Sequence, residues 1–264
     1  MIPRAHITAW RQFAPWVSDA QVEQDLILSR VLVEIYSDEF LSSKLAFRGG
    51  TALYKLYIKP AHRYSEDIDL VQIKPEPIGP VFDALQRLLN QIFGQPKRKQ
   101  TEDAVTLTYR MESENPPVVP LRLKVEINTR EHFAFDGIQK QSFTVDSRWF
   151  MGNCQIATFS LEELLATKLR ALYQRRKGRD LFDLWTGLTI GKADSGRIVK
   201  LFKKYMKAEG LTVTCKSYLK NLADKMNHPG FAQDIVPLLS ATVKYDPAKA
   251  FTLVSREIIE RLAE

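Results

Sequence analysis

The sequence predicts an α+β fold, in which a domain of mixed strands and helices precedes a helical domain. Strand-like patterns occur only before residue 152, and the patterns after Ser160 have helical spacing. The length of 264 residues is enough for two domains of ordinary size. We therefore expect an α/β domain over residues 1–152 and a helical domain over residues 153–264, without internal repeats.

The expected elements follow from local signals along the chain. Ser18 and the acidic Asp19 begin a long helix that reaches about Glu39, because its apolar residues recur every three or four positions. Glycine and proline residues separate the later segments. These are expected at 45–48 (strand), 51–57 (helix), 67–71 (strand), 81–93 (helix), 104–111, 121–128 and 141–146 (strands) and 161–174 (helix).

The composition excludes several classes of protein. No stretch approaches the roughly 20 apolar residues of a membrane span, and the N-terminus lacks an unbroken apolar signal segment, so we expect a cytoplasmic protein without a membrane anchor. Cys154 and Cys215 lie far apart, which argues against a disulfide scaffold or a cysteine zinc site. The P-loop pattern is missing. The 38 Lys and Arg exceed the 31 Asp and Glu, which is compatible with a polyanionic partner.

Two aspartates mark the first candidate site. Asp67 and Asp69 are two positions apart in an expected strand, so both side chains leave the same face of the sheet. Adjacent carboxylates repel each other unless a cation lies between them, and Mg²⁺ favours such oxygen ligands. Two interpretations follow from these residues alone: a Mg²⁺ site, or the solvated acidic end of a strand.

A second strand carries a third candidate acid. From Leu121 to Asn128 apolar residues alternate with polar ones, which predicts one buried and one exposed face. Glu126 on the polar face could therefore join the two aspartates, or it could form a surface pair with Lys124.

Gly49, Gly50 and Thr51 form the third element. Glycines allow the backbone to approach a ligand closely, and a following helix offers free N–H groups to an anion. Most glycine pairs are simple turns, but the series of strand, Gly-Gly, helix and acidic strand is more specific. It predicts a phosphate-binding turn and a metal site on adjoining parts of one sheet.

These motifs resemble those of the AbiEii/AbiGii-type nucleotidyltransferase toxins, which belong to the DNA polymerase β superfamily of nucleotidyltransferases. The chain after Trp185 carries no further motif of this family. The motifs occur in the expected order: Phe47-Arg48-Gly49-Gly50-Thr51-Ala52-Leu53, Arg63-Tyr64-Ser65-Glu66-Asp67-Ile68-Asp69-Leu70, Lys124-Val125-Glu126-Ile127, Ala166-Thr167-Lys168-Leu169-Arg170-Ala171-Leu172, Arg179-Asp180-Leu181 and Asp183-Leu184-Trp185.

The resemblance implies a polymerase β-like nucleotidyltransferase core, with a mixed sheet and flanking helices, followed by a helical C-terminal domain. It also implies a toxin of a bacterial toxin–antitoxin or abortive-infection system, with a separately encoded antitoxin. The activity implied is Mg²⁺-dependent transfer of a nucleotide from an NTP, and characterised relatives modify tRNA. By position, the residues implied to act are the metal ligands Asp67 and Asp69, the nucleotide-binding Gly49, Gly50, Thr51, Ser65 and Lys168, and the later acid Asp183.

The spacing of Lys168 and Asp183 poses a geometric problem. The two residues are fifteen positions apart, and an unbroken helix would separate them by ~22 Å. Gly178, Arg179 and Asp180 indicate that one helix ends and another begins there. Asp180 could cap the new helix while Asp183 points inward, or Asp183 could only pair with a nearby arginine. Lys168 could bind a phosphate or belong to a solvated basic face.

The helical half is rich in basic residues, with eight between Lys192 and Lys220 against two acidic ones. Such a run is typical of a solvated face, or it guides an RNA backbone. Together with the resemblance it favours RNA, the 3′ end of tRNA in particular, as the acceptor, and hence arrested translation and growth. Glu126 would then complete the site or act as general base. Two alternatives remain: transfer to a protein or small molecule, and a non-catalytic RNA- or partner-binding protein.

Overall fold

The computed structural model describes residues 2–263 and contains one seven-stranded sheet with flanking helices. The strands are β1 Leu45–Arg48, β2 Asp67–Gln72, β3 Lys97–Gln100, β4 Ala104–Glu112, β5 Pro120–Asn128, β6 Gln139–Ser147 and β7 Phe150–Thr158. The helices are α1 Arg4–Trp10, α2 Asp19–Ser37, α3 Glu39–Lys44, α4 Gly49–Ala52, α5 Gly79–Phe93, α6 Leu161–Gln174, α7 Gly178–Thr189, α8 Ser195–Ala208, α9 Cys215–Met226, α10 Pro229–Gln233 and α11 Pro247–Val254.

The sheet is mixed, and its order is β3-β4-β5-β2-β1-β7-β6. Strand β2 occupies the middle, antiparallel to β1 and parallel to β5, while β1 is parallel to β7. The predicted α+β class, with a mixed sheet and helices after it, is therefore confirmed.

Four elements were not predicted from the sequence: α1, α3, β3 and β7. All four residues of β3 are polar and exposed, so its sequence carries no apolar alternation. Strand β7 contains Gly152 and Asn153, which are typical of turns, and it is held by a nine-residue ladder with β6. Pairing with β6 thus compensates for the low strand preference of these two residues.

The chain divides into two compact units. The first comprises the chain up to Phe133 together with Ile138–Phe159, and the second comprises Ala134–Gly137 with the chain from Ser160 onward. The boundary expected after Gly152 lies inside β7, whereas this division follows the end of that strand.

Alternation along the central strands buries one face of the sheet in the first unit. Ile68 and Leu70 of β2, and Leu123, Val125 and Ile127 of β5, are all buried. Helix α2 packs on β5, β6 and β7. Because successive side chains of a strand point to opposite faces, the polar residues between these apolar ones lie together on the other face.

Glu163 joins the loop Ala134–Gly137 to the helices of the second unit. Its buried carboxylate accepts hydrogen bonds from the backbone N–H groups of Phe135 (2.6 Å) and Asp136 (3.0 Å) and from the hydroxyl of Tyr205 (2.9 Å). Burial raises the pKa of Glu163 although each of these bonds lowers it. These contacts explain why four residues that precede β6 belong with the helical unit. Between residues 2 and 263, no helix is both long and apolar enough to cross a membrane.

Candidate active site

The acidic strand β2 presents Asp67 and Asp69 on one face of the sheet. Both carboxylates are partly exposed, whereas Ile68 between them is fully buried. The parallel register with β5 places Asp67 opposite Lys124 and Asp69 opposite Glu126. Residues opposite each other in a ladder share a face, so three carboxylates and one ammonium group come together in the middle of the sheet.

Lys124 forms ion pairs with two of these acids, Glu126 and Asp67. Its ammonium Nζ lies 2.9 Å from Glu126 Oε2 and 4.0 Å from Asp67 Oδ2. Partial burial lowers the pKa of Lys124, but the bond to Glu126 and the attraction of Asp67 and Asp69 outweigh it, so the pKa lies above its usual value. Glu126 thus makes both of the contacts that the sequence left as alternatives: it lies opposite Asp69 in the ladder, and it pairs with Lys124.

The backbone of Gly49 lies directly against the Asp69 carboxylate. Gly49 has a φ of +82°, and a Cβ at this position would stand 2.1 Å from Asp69 Oδ2. Arg48 and Asp69 are opposite each other in the β1–β2 ladder, so the glycine turn begins where the acidic strand passes. Only glycine meets both requirements.

Thr51 and Ser65 hold the turn and the strand together. The hydroxyl of fully buried Thr51 lies 2.9 Å from Ser65 Oγ and donates to the backbone carbonyl of Asp67 at 2.6 Å. Buried Arg63 lies so close to Gly50 that a Cβ there would stand 2.3 Å from its Nη2. The Thr51 hydroxyl therefore connects the turn to Ser65 and to the start of β2, and nucleotide binding by Thr51 stays a prediction. The sequence reasoning gave Arg63 no role, although it begins the motif that carries the aspartates.

In the second unit, Lys168 contacts the buried carboxylates of Asp180 and Asp183. Helix α6 ends at Gln174 and α7 begins at Gly178, so the chain folds back and α7 packs on α6. Lys168 Nζ lies 2.9 Å from Asp183 Oδ2 and 3.3 Å from Asp180 Oδ1, and both aspartates are fully buried. The long distance between Lys168 and Asp183 that an unbroken helix would impose is therefore absent, and the two side chains are in direct contact.

Two interpretations of this hairpin are wrong. Asp180 does not cap α7, because Lys177 is the N-cap residue and Asp180 instead accepts two hydrogen bonds from Arg175, at 2.7 and 2.8 Å. Lys168 does not belong to a solvated face, because only 8% of it is exposed. Asp183 points inward and is paired with Lys168. The helical spacing placed Arg175 on the same face as Lys168, but Arg175 was assigned no role because it stands in a run of three basic residues.

The donor set of the first unit fits a hard divalent cation. Magnesium is commonly held by one or two protein carboxylates and by phosphate oxygens of a substrate, and Asp67 and Asp69 supply that number of carboxylates on one face. Within residues 2–263, no group of three His, Cys, Asp or Glu side chains is arranged as a metal site.

The sequence matches the family described as the nucleotidyl transferase AbiEii toxin of type IV toxin–antitoxin systems, over residues 30–255. A candidate nucleotidyltransferase from H. pylori has 18% identity and a TM-score of 0.59, and the match covers 94% of this chain and 96% of that one. MenT4, a nucleotidyltransferase toxin from Mycobacterium tuberculosis, has 15% identity and a TM-score of 0.58, over 100% and 98% of the two chains. These likenesses show the fold alone. No curated protein matches the sequence.

Gly49→Ala is expected to destabilise the protein more than Gly94→Ala. Both glycines have positive φ, but a Cβ at Gly94 has nothing within 4 Å, whereas one at Gly49 collides with Asp69. Backbone strain should lower the free energy of unfolding by about 1–2 kcal/mol in each variant. The Gly49→Ala variant should lose more, because of the collision with Asp69. Equilibrium urea unfolding measures the difference, and equal losses would show that the contact with Asp69 is unimportant.

Proposed function

This chain belongs to the AbiEii family of nucleotidyl transferase toxins of type IV toxin–antitoxin systems, and we propose that it transfers a nucleoside monophosphate from an NTP to an RNA end. The family implies an NTP substrate and an antitoxin partner. The observation that carries the proposal is the cluster of Asp67, Asp69 and Glu126 beside the Gly49 turn. The acceptor proposed is the 3′ end of tRNA, and the consequence is arrested translation and growth in the cytoplasm.

The proposed reaction is a displacement at phosphorus. The acceptor hydroxyl oxygen forms a bond to the α-phosphorus, the bond from that phosphorus to the bridging oxygen of the β-phosphate breaks, and pyrophosphate leaves. Asp67 and Asp69 would hold Mg²⁺, which supplies charge stabilisation for the attacking and leaving oxygens. Glu126 either joins these ligands or takes the proton from the hydroxyl, with Lys124 holding its carboxylate in place.

Nucleotide binding is assigned to the glycine turn of the first unit and, as a separate proposal, to Lys168 of the second unit. Gly49, Gly50 and Ser65 offer N–H and hydroxyl donors to the β- and γ-phosphates, and Thr51 keeps Ser65 in position. Lys168 carries three N–H donors, of which Asp183 and Asp180 can occupy two. The third would then serve a phosphate, which makes Asp183 a positioning residue for Lys168.

The RNA acceptor is supported by the exposed lysines of α8. Lys200, Lys203, Lys204 and Lys207 are all exposed and recur at helical spacing, so they lie on one face of the helix. The opposite face, which includes Tyr205, is buried. An extended lysine face attracts a phosphate backbone without reading its bases.

The experiment that tests this function supplies the protein with each labelled NTP and total RNA. We expect label to enter RNA, to be confined to tRNA-sized species and to be removed by a 3′ exonuclease. If label enters only protein or a small molecule, RNA is not the acceptor, but the protein is still a nucleotidyltransferase. Absence of transfer from all four NTPs would contradict the proposal.

Asp67→Asn and Asp69→Asn should each reduce nucleotide transfer by at least about 100-fold, because each removes a charge that holds the cation. Without metal, their thermal unfolding temperature should change little, because relief of the repulsion between the two carboxylates is offset by loss of the attraction to Lys124. The control is Asp83→Asn, which removes an exposed carboxylate of α5. Transfer at the wild-type rate by either variant would rule out the assignment.

Lys168→Ala should weaken NTP binding and abolish transfer, whereas Lys168→Arg keeps the charge in a different geometry and should retain part of the activity. Both variants disturb a buried cluster, and the alanine variant is expected to lose about 3 kcal/mol or more of stability. Arg175→Ala is the matched control, because it removes the other cation on Asp180 and leaves Lys168 in place. If all three variants bind NTP equally well, Lys168 is only structural.

Replacing Lys203, Lys204 and Lys207 together by Glu should weaken RNA binding and flatten its dependence on salt. Losing three contacts to a single strand would lower the slope of log K against log salt by about 2. NTP binding should not change. The control reverses three exposed lysines of the strands, Lys97, Lys99 and Lys140, and alters the net charge equally. Equal loss of RNA affinity in both triple variants would show that net charge, not the α8 face, decides binding.

A further inference from the structure

An aromatic cavity lies in the first unit beside the glycine turn. Its volume is about 480 Å³, within the range of small-molecule sites. Thr51 and Ser65 form part of its wall, and these residues connect the turn to the acidic strand. The cavity therefore begins where the proposed phosphate-binding residues end. Its aromatic lining consists of Trp10, Phe13, Trp16, Tyr54 and Phe143.

The floor of this cavity is fixed by a buried carboxylate. The Asp25 carboxylate accepts hydrogen bonds from the indole N–H of Trp10 (2.8 Å) and of Trp16 (3.2 Å). Lys55 Nζ lies 2.6 Å from Asp25 Oδ1. Lys55 also donates to Ser29 at 2.9 Å. Both rings are thus held in place before any ligand arrives, which lowers the conformational cost of binding.

The remaining lining suits a planar ligand that carries negative charge. Phe13 lines the cavity and is 52% exposed, so its ring is accessible to a ligand. The guanidinium of Arg63 lies 4.9 Å from the centroid of the Tyr54 ring, so a cation and a π-face are stacked at the wall. Lys55, Lys59 and Arg63 line the cavity together with two carboxylates, those of Asp25 and Asp146.

We propose that this cavity is a nucleobase subsite, in which a base stacks on the aromatic wall while its phosphate chain extends toward Thr51 and Ser65. Aromatic walls with nearby cations bind bases by stacking and by cation–π contacts, with little dependence on base identity. The inference rests on the proposed function. The base comes either from the incoming NTP or from the terminal nucleotide of the RNA acceptor, and the experiment separates these two sources.

The test measures equilibrium binding, not turnover. Two variants alter the cavity: Phe13→Ala removes an exposed ring, and Thr144→Trp places a large side chain at an exposed position of its wall. The control is Phe40→Ala, which removes an exposed ring of α3 that does not line this cavity. The ligands are an NTP, the matching free triphosphate, an RNA oligonucleotide, and the same oligonucleotide with an abasic 3′-terminal residue. Thermal unfolding confirms that each variant folds.

If the base comes from the NTP, both cavity variants should weaken NTP binding about tenfold or more, and binding of free triphosphate should not change. If it comes from the acceptor, they should weaken binding of intact RNA, and the abasic RNA should bind wild type and variants alike. Phe40→Ala should match wild type in each case. Ligand binding can also be followed by tryptophan fluorescence in a Trp149→Phe/Trp185→Phe variant, where Trp10 and Trp16 are the remaining tryptophans. The ligand that supplies the base, NTP or intact RNA, should quench this fluorescence.

The inference is overturned if both cavity variants bind NTP and RNA like wild type and neither ligand quenches Trp10 and Trp16, whatever else the cavity then binds. That result is independent of the proposed function, since wild type would still transfer nucleotides to RNA. Conversely, loss of NTP binding in the cavity variants of a protein that labels no RNA would keep the subsite and reject the RNA acceptor.

Discussion

The contact between the Gly49 backbone and the Asp69 carboxylate is the constraint on which the site depends. Asp69 can lie against the turn only because Gly49 lacks a Cβ and adopts a φ of +82°. The same strand register brings Glu126 beside Asp69 and Lys124 beside Asp67. The close approach fixes the turn against the acidic strand, and the hydroxyl of Thr51 reinforces this contact. The ladder between β2 and β5 then holds Glu126 and Lys124 beside it.

The helical unit contains a different arrangement, in which a buried lysine lies beside two buried carboxylates. Lys168 and Arg175 neutralise Asp180 and Asp183, so two cations face two anions between α6 and α7. A pair of this kind adds little net stability, but losing one member leaves a buried charge without compensation. The cluster is thus better understood as a device that fixes the position of the Lys168 ammonium group than as a source of stability.

The sequence predicted the parts of the fold that depend on local pattern. Alternation identified β5, and the two-residue spacing of Asp67 and Asp69 placed both on one face of β2. The position of Glu126 beside them was one of two alternatives. Tertiary pairing decided what the pattern missed: β7 forms through its ladder with β6, and Asp180 faces Arg175 instead of capping a helix. The aromatic cavity could not be predicted either, because its walls come from segments more than a hundred residues apart.

Binding of Mn²⁺, a spectroscopic substitute for Mg²⁺, tests the account most directly. An electron paramagnetic resonance titration would use the wild type and an Asp67→Asn/Asp69→Asn double variant, each with a non-hydrolysable NTP analogue. The account predicts bound Mn²⁺ in the wild type and loss of that binding in the double variant, which should remain folded. Equal binding of Mn²⁺ by both proteins would contradict the claim that these two carboxylates hold the cation.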